Sequence, residues 1–284
     1  MTGEIKLHDA ADTDRDNRLA AELSSNDPSR QLAAIDSILS TPSSNVGGVA
    51  LDALIACVGA DRKSIQRRAI DALAALAAGG DARVVTSLKH TMSAGNRRIR
   101  WGAAYALAQI GDDSLALDAT GVLCEALGDD DGDIRWAASV LIVRLGRRHR
   151  DEIRARVISL ASSGNPNARK MALYCIRDLA FAGSDLLAVL EIAVRDANVH
   201  IRLAALAVLA KLDEPSESAA AITLGCLESD PDAGVRRAAA IALGQVRGST
   251  SRTVPALKIA AASETDPALA RAARNALERL EKRS

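Results

Sequence analysis

Twelve residues, Val235–Val246 (VRRAAAIALGQV), recur along the chain at a nearly fixed interval. The place of Val235 is taken by Ile65, Ile99, Ile134, Ala168, Ile201 and Leu269, with a weaker copy beginning at Arg30. Successive starts lie 33 to 35 residues apart. A constant period of this size restricts the fold more than any other feature. Each unit is one supersecondary piece that cannot bury its apolar face alone, so neighbours must stack into a solenoid. Within the prototype, Val235, Ala238, Ala239, Ala242, Leu243 and Val246 follow the i, i+3, i+4, i+7 spacing of an amphipathic helix. On a helical wheel these residues share one side. Positions 237 and 244 point away from it, and position 241 flanks the open side.

Short breaks carry Gly79-Gly80, Gly111-Asp112, Asn165-Pro166 and Asp230-Pro231, residues suited to stopping one helix and capping the next. They divide the chain into about eight helix pairs. The second helices are expected near residues 62–77, 96–110, 132–146, 166–181, 198–212, 232–247 and 267–282. The expected fold class is all-α: one solenoid domain over residues 13–284, preceded by a flexible, polar tail over residues 1–12. The stretch richest in Gly, Pro and Ser, Thr41–Gly48, is too short for an interdomain linker and reads as a connection between repeats.

Aromatic residues make up only 2 % of the chain against 48 % hydrophobic, so the core has to be built from Ala, Leu, Ile and Val. Thirty-six basic and 36 acidic residues cancel, which argues against a chain committed along its whole length to nucleic acid. Cys57, Cys124, Cys175 and Cys226 are far apart, form no CxxC pair and fall in apolar stripes, as buried structural thiols do. With no apolar run of ~18 residues and no hydrophobic leader in MTGEIKLHDAADTD, a cytoplasmic protein without membrane contact is expected.

The segments Asp131–Gly146 (DGDIRWAASVLIVRLG), Asp196–Leu212 (DANVHIRLAALAVLAKL) and Asp230–Val246 (DPDAGVRRAAAIALGQV) resemble HEAT repeats. In particular they are similar to the short subclass associated with phycobilisome lyases. Tetratricopeptide repeats share the period, but their Trp, Leu-Gly and Tyr spacing is absent. The likeness implies that the outer face of the second helices lines the concave side. It also implies a structural role for Arg100, Arg135, Arg169, Arg202 and Arg236, which open those helices and would bond an Asp on the preceding turn or a neighbouring repeat. Asp129, Asp196 and Asp230 stand six residues ahead of three of them. The series lapses at Gln66, where Arg67 is a candidate substitute, and at Ala270.

Catalytic material is sparse. His8, His90, His149 and His200 lack metal-ligand spacing, and there is no HExxH, GxSxG or P-loop. The acidic run Asp129–Asp131 with Asp133 lacks the spacing of a calcium loop and reads as helix capping. No enzyme activity, cofactor or metal site is expected. Trp101, Tyr105, Trp136, Tyr174 and Phe181 are the only aromatics, and all fall in the second helices of three adjacent repeats or at their ends. Trp101 and Trp136 hold position 237, Tyr105 and Tyr174 position 241. Two readings stand: rings that cover gaps between helices, or an exposed anchor for a partner. Small residues at position 244 (Ala74, Ala108, Ala210) would leave a groove beside them, and Arg67 and Lys170 continue the face as cations.

A second cluster, Arg97 and Arg98 followed by Arg147, Arg148 and Arg150, reads either as a solvated rim or as contacts to phosphate. The first functional expectation is a non-enzymatic scaffold that binds another protein or peptide, acidic or amphipathic, on its concave face. Nucleic-acid binding, as in HEAT-like DNA glycosylases, and a bilin lyase or chaperone role are the alternatives that the likeness adds.

Overall fold

The computed structural model describes residues 2–40, 46–212, 216–263 and 265–282, with side chains from residue 12 onward. Most of the expected Thr41–Gly48 connection lies outside the described residues. Every regular element among them is helical. The helices gather into two compact units, Met1–Leu123 and Cys124–Ser284. Such clustering is natural in an array whose repeats touch only their neighbours.

In the first unit, α1 (Thr2–Leu23) pairs with α2 (Pro28–Ser40), α3 (Gly48–Ala56) with α4 (Lys63–Ala78), and α5 (Ala82–Ala94) with α6 (Arg97–Gln109). A short α7 (Asp113–Asp118) follows, and the division between units falls inside α8 (Thr120–Ala126). In the second unit, α9 (Gly132–Gly146) is followed by the pairs α10 (Arg150–Ala161) and α11 (Pro166–Asp178), α12 (Ser184–Ala193) and α13 (Val199–Leu209), α14 (Glu217–Ser229) and α15 (Ala233–Leu243), and α16 (Thr253–Ala261) and α17 (Pro267–Glu281).

Two boundaries differ from the sequence expectation. The backbone is helical from Thr2, through the stretch expected as a tail. Glu4, Lys6, Leu7, Ala10 and Ala11 are all good helix formers, so helix propensity operates there without an apolar stripe. The first helix of the pair completed by α9, which the repeat period places over residues 114–127, is broken at Ala119. There the Thr120 hydroxyl donates back to the Ala116 carbonyl at 3.4 Å, a bond that bends helices, and Gly121 follows.

The second helices start where the sequence places caps. Side chains of Asn96, Asp131, Asn165, Asn198, Asp232 and Asp266 each accept a backbone N–H of the first turn, at 2.8–3.0 Å. Their apolar stripes form the core: Val235, Ala239, Ala242 and Leu243 in α15, and Ile201, Ala204, Ala205 and Leu209 in α13. In the second unit the second helices pack against one another more closely than the first helices do. Alanine at the contacts permits that approach. In the first unit glycine permits a different approach, that of α6 to the turn after α3, where a Cβ at Gly102 would collide with the carbonyl of Val58.

The arginines that open the second helices do two jobs in the second unit. One guanidinium nitrogen donates to carbonyls five and six residues back: Arg135 to Asp129 and Asp130, Arg169 to Ser163 and Gly164, Arg202 to Asp196 and Ala197, Arg236 to Asp230 and Pro231. In Arg169 and Arg202 the rest of the fork also grips a carboxylate of the next repeat. Arg169 holds Asp196 at 2.9 and 3.2 Å, and Arg202 holds Asp230 at 2.9 and 3.1 Å. Each of these aspartates thus gives its carbonyl to its own arginine and its carboxylate to the one before. Bidentate pairing of this kind fixes the angle between repeats as well as their distance. In the first unit the lapse at Gln66 is filled differently from the expectation. Gln66 itself donates to the Val58 carbonyl at 2.7 Å, as Gln31 does to Leu23, while Arg67 stays exposed.

Candidate functional site

The expected aromatic cluster resolves into different environments. In the first unit Trp101 is only 6 % exposed. Its ring meets Tyr105, one turn on, with centroids 5.4 Å apart and planes at 54°, and Tyr105 is half-buried. A wheel angle gives the direction of a Cβ and not how far neighbouring side chains reach over a large ring. Trp101 is therefore a packing residue and no exposed anchor. Arg67, on α4, is exposed.

In the second unit Trp136 is 67 % exposed, and Val140, one turn later on α9, is exposed as well. The adjacent helix α11 presents Lys170 and Tyr174, both half-buried, at the same spacing. The Arg177 guanidinium lies over the Tyr174 ring at 5.0 Å and donates to Asp178 at 2.8 Å. Phe181 does not reach this face: it is buried below the end of α11. Trp136, Val140, Lys170 and Tyr174 thus form an apolar strip with one cation.

Further along the second-helix layer, the outward sides of α13 and α15 part to leave an open groove of about 380 Å³. Ala210, one of the small residues expected to open a groove, lines it together with Leu203, Ala207, Ala238 and Ile241. The same expectation fails beside Trp101, where Ala108 is buried. Leu203, Ile241 and Arg177 are groove residues that the sequence reading passed over. They sit at outward wheel positions, which was the available signal.

The expected phosphate-binding arginines are not a common set. Arg98 is paired with Asp61 and donates to its carbonyl at 3.2 Å. Arg150 donates to the carbonyls of Leu179 and Ala180, both at 2.9 Å, and its guanidinium covers Phe181 at 4.8 Å. Ala180 is left-handed, with φ of 48°, so Arg150 braces the turn that ends α11. Both side chains are occupied within the fold and are not open to a phosphate. Arg97, Arg147 and Arg148 are exposed. The acidic run acts as capping: Asp129 accepts the N–H of Asp131, and Asp131 that of Asp133, at 2.9 and 2.8 Å.

Burial pushes the thiols of Cys57, Cys124 and Cys226 up to about 11 and that of Cys175 to about 12. They stay protonated at neutral pH, as structural thiols do. Among the described residues no helix is long and apolar enough to cross a membrane.

The family model for HEAT repeats matches residues 51–142 and 186–278, well over half of the chain. The chain belongs to the HEAT-repeat family. No curated protein matches it significantly. Among solved structures it resembles YibA of E. coli, with 16 % identity and a TM-score of 0.55, covering 99 % of this chain and 98 % of that one. It also resembles a Kap121p mutant, with 11 % identity and a TM-score of 0.62 over 92 % of this chain and 33 % of that one. Importin beta aligns with 16 % identity and a TM-score of 0.58, over 93 % and 40 %. The chain thus spans about a third of Kap121p and two fifths of importin beta. At these identities the likeness establishes the fold, an α-solenoid of stacked helix pairs.

Proposed function

We propose that this HEAT-repeat chain is a non-enzymatic protein-binding module whose docking strip is the outward face of α9 and α11. One observation carries the reading: Trp136 stands 67 % exposed in a chain with five aromatic residues. A large ring left in water is costly for a monomer and is typical of the anchors that dominate protein interfaces. Val140 extends the apolar strip, and Lys170 and Tyr174 add a polar edge beside it. That composition suits a peptide or helix with its own apolar stripe and an acidic flank.

Trp136→Ala tests this directly, because an exposed side chain away from special contacts can be removed at a cost within about 0.5 kcal/mol. Wild type and variant are used as baits in host lysate, with and without nuclease. Proteins retained by the wild type, lost with Trp136→Ala and indifferent to nuclease support the reading. Equal capture by the two baits, or loss of every captured protein on nuclease treatment, would sink it.

A further inference from the structure

The groove between α13 and α15 differs from the Trp136 strip in both shape and charge. Its floor is aliphatic, formed by Leu203, Ala207, Ala210, Ala238 and Ile241, and Ile241 remains 47 % exposed. Its volume of about 380 Å³ falls in the ~300–1,000 Å³ range of sites that hold ligands. Arg177 and Lys211 form part of its lining. Lys170, Arg237 and Arg271 hold the outward position of α11, α15 and α17, one cation on each helix. On the same outward positions of α11 to α17 stands a single carboxylate, Glu278, and the flanking Asp178 is bonded to Arg177. In a chain whose 36 basic and 36 acidic residues cancel, this face is strongly cationic.

We infer that the α13–α15 groove binds an acidic amphipathic segment of another protein. Its aliphatic side chains sit on the floor, and its carboxylates meet Lys211 and Arg237. The inference rests on the reading of the chain as a protein-binding module, at a place separate from Trp136. Helix-in-groove recognition needs apolar anchors at i, i+3 or i+4, and i+7 on the bound segment, which a trough between two parallel-stacked helices accommodates. The surrounding cations select carboxylates and speed encounter. The aliphatic floor argues against single-stranded nucleic acid, which gains much of its affinity by stacking bases on open aromatic faces. The nearest ring, Tyr174, is already covered by Arg177.

The test is selection of random linear peptides displayed on phage against the whole chain, followed by fluorescence anisotropy of the enriched peptide after labelling. Enriched peptides should carry net negative charge with aliphatic residues at helical spacing. Binding should weaken about tenfold or more in Ile241→Glu, which alters an exposed side chain. It should weaken several-fold in Arg237→Glu, and fall with added salt. Trp136→Ala should leave it unchanged. Far-ultraviolet circular dichroism checks that each variant keeps its helices.

Four results would overturn the inference: no enrichment, enrichment of neutral or basic peptides, equal binding to Ile241→Glu, or tighter binding of a labelled single-stranded oligonucleotide. Peptide binding lost in Trp136→Ala and kept in Ile241→Glu would place recognition on α9 and leave the proposed function standing. Peptide binding lost only in Ile241→Glu, with lysate capture unaffected by Trp136→Ala, would do the reverse.

Discussion

Trp101 and Trp136 occupy the same position in consecutive repeats, yet one is 6 % exposed in the first unit and the other 67 % exposed in the second. The contrast extends to their surroundings. Among the described residues, the first unit exposes one large hydrophobic side chain, Val49, whereas the second exposes Trp136, Val140, Ile192, Ile241, Val254 and Ile259. Charge follows the same division. The outward positions of α2 and α4 carry Asp36, Arg67 and Asp71, whereas those of α11, α15 and α17 carry Lys170, Arg177, Arg237 and Arg271 against the one carboxylate Glu278. The residue that opens the second helix differs too. Gln31 and Gln66 of the first unit bond a carbonyl of their own helix pair, whereas Arg169 and Arg202 of the second bond such carbonyls and also grip an aspartate of the next repeat. One repeat pattern therefore supports a unit that covers nearly all of its large apolar side chains and another that leaves several in water. The arginine–aspartate forks lie in the unit with the exposed surface, where apolar side chains left in water contribute nothing to its own stability.

The largest expected difference is between the two tryptophans. Trp101→Ala should cost about 3–5 kcal/mol, the usual loss for a buried large ring. Trp136→Ala should stay within about 0.5 kcal/mol. Urea unfolding gives the magnitudes, and hydrogen exchange should locate the loosening caused by Trp101→Ala in α6 and its neighbours. Equal costs for the two would erase the contrast.

The joints give the next effect. Arg202 and Asp230 are nearly buried, with side chains 11 % and 5 % exposed. Arg202→Ala strands a carboxylate and should cost about 3–5 kcal/mol. Gln66→Ala removes one neutral hydrogen bond to Val58, and about 1 kcal/mol is expected. If the two substitutions destabilise alike, the carboxylate half of the fork adds nothing to what a bond to a carbonyl of the same helix pair supplies.

Much of this molecule was legible in its sequence. The 33–35-residue period fixed the helix pairs, because a repeat must stack to bury its stripe, and Asn or Asp caps marked the helix starts. The arginine series was visible as well, though the residue that fills the gap, Gln66, was overlooked in favour of Arg67. The site was less legible. Wheel angle says which way a Cβ points but not how far neighbouring side chains reach, so Trp101 and Trp136 looked identical. Arg150 looked like a free cation because its partners are backbone carbonyls at Leu179 and Ala180, which no side-chain pattern reveals. Charge on the second-helix face could have been read from the outward positions alone. It was hidden by a net charge of zero over the whole chain.

The smallest expected effect concerns acid, and here the two units should behave alike. The Asp81 carboxyl is held below its ordinary value of 3.8 by the hydrogen bond from the Arg83 side chain, and Asp185 is held down in the same way by Arg154. A carboxyl whose value is lower in the folded chain binds its proton more readily once unfolded. Its contribution to stability is therefore complete above about pH 4 and is lost as the pH falls through the lowered folded value. One partner of each pair is about half exposed, so solvent screens the interaction, the loss should be small and it should shrink in high salt. Arg154→Met should flatten the acid limb of thermal unfolding for the second unit, and Arg83→Met that for the first. Their two slopes should change by similar amounts, since neither pair draws on the buried forks that set the units apart. Both arginines also donate to a carbonyl, Arg83 to Val46 at 2.7 Å and Arg154 to Ala182 at 2.8 Å. A markedly larger change with Arg154→Met would therefore mean that pairing from α10 to α12 couples acid titration to the contact between repeats, which the local Asp81–Arg83 pair does not span.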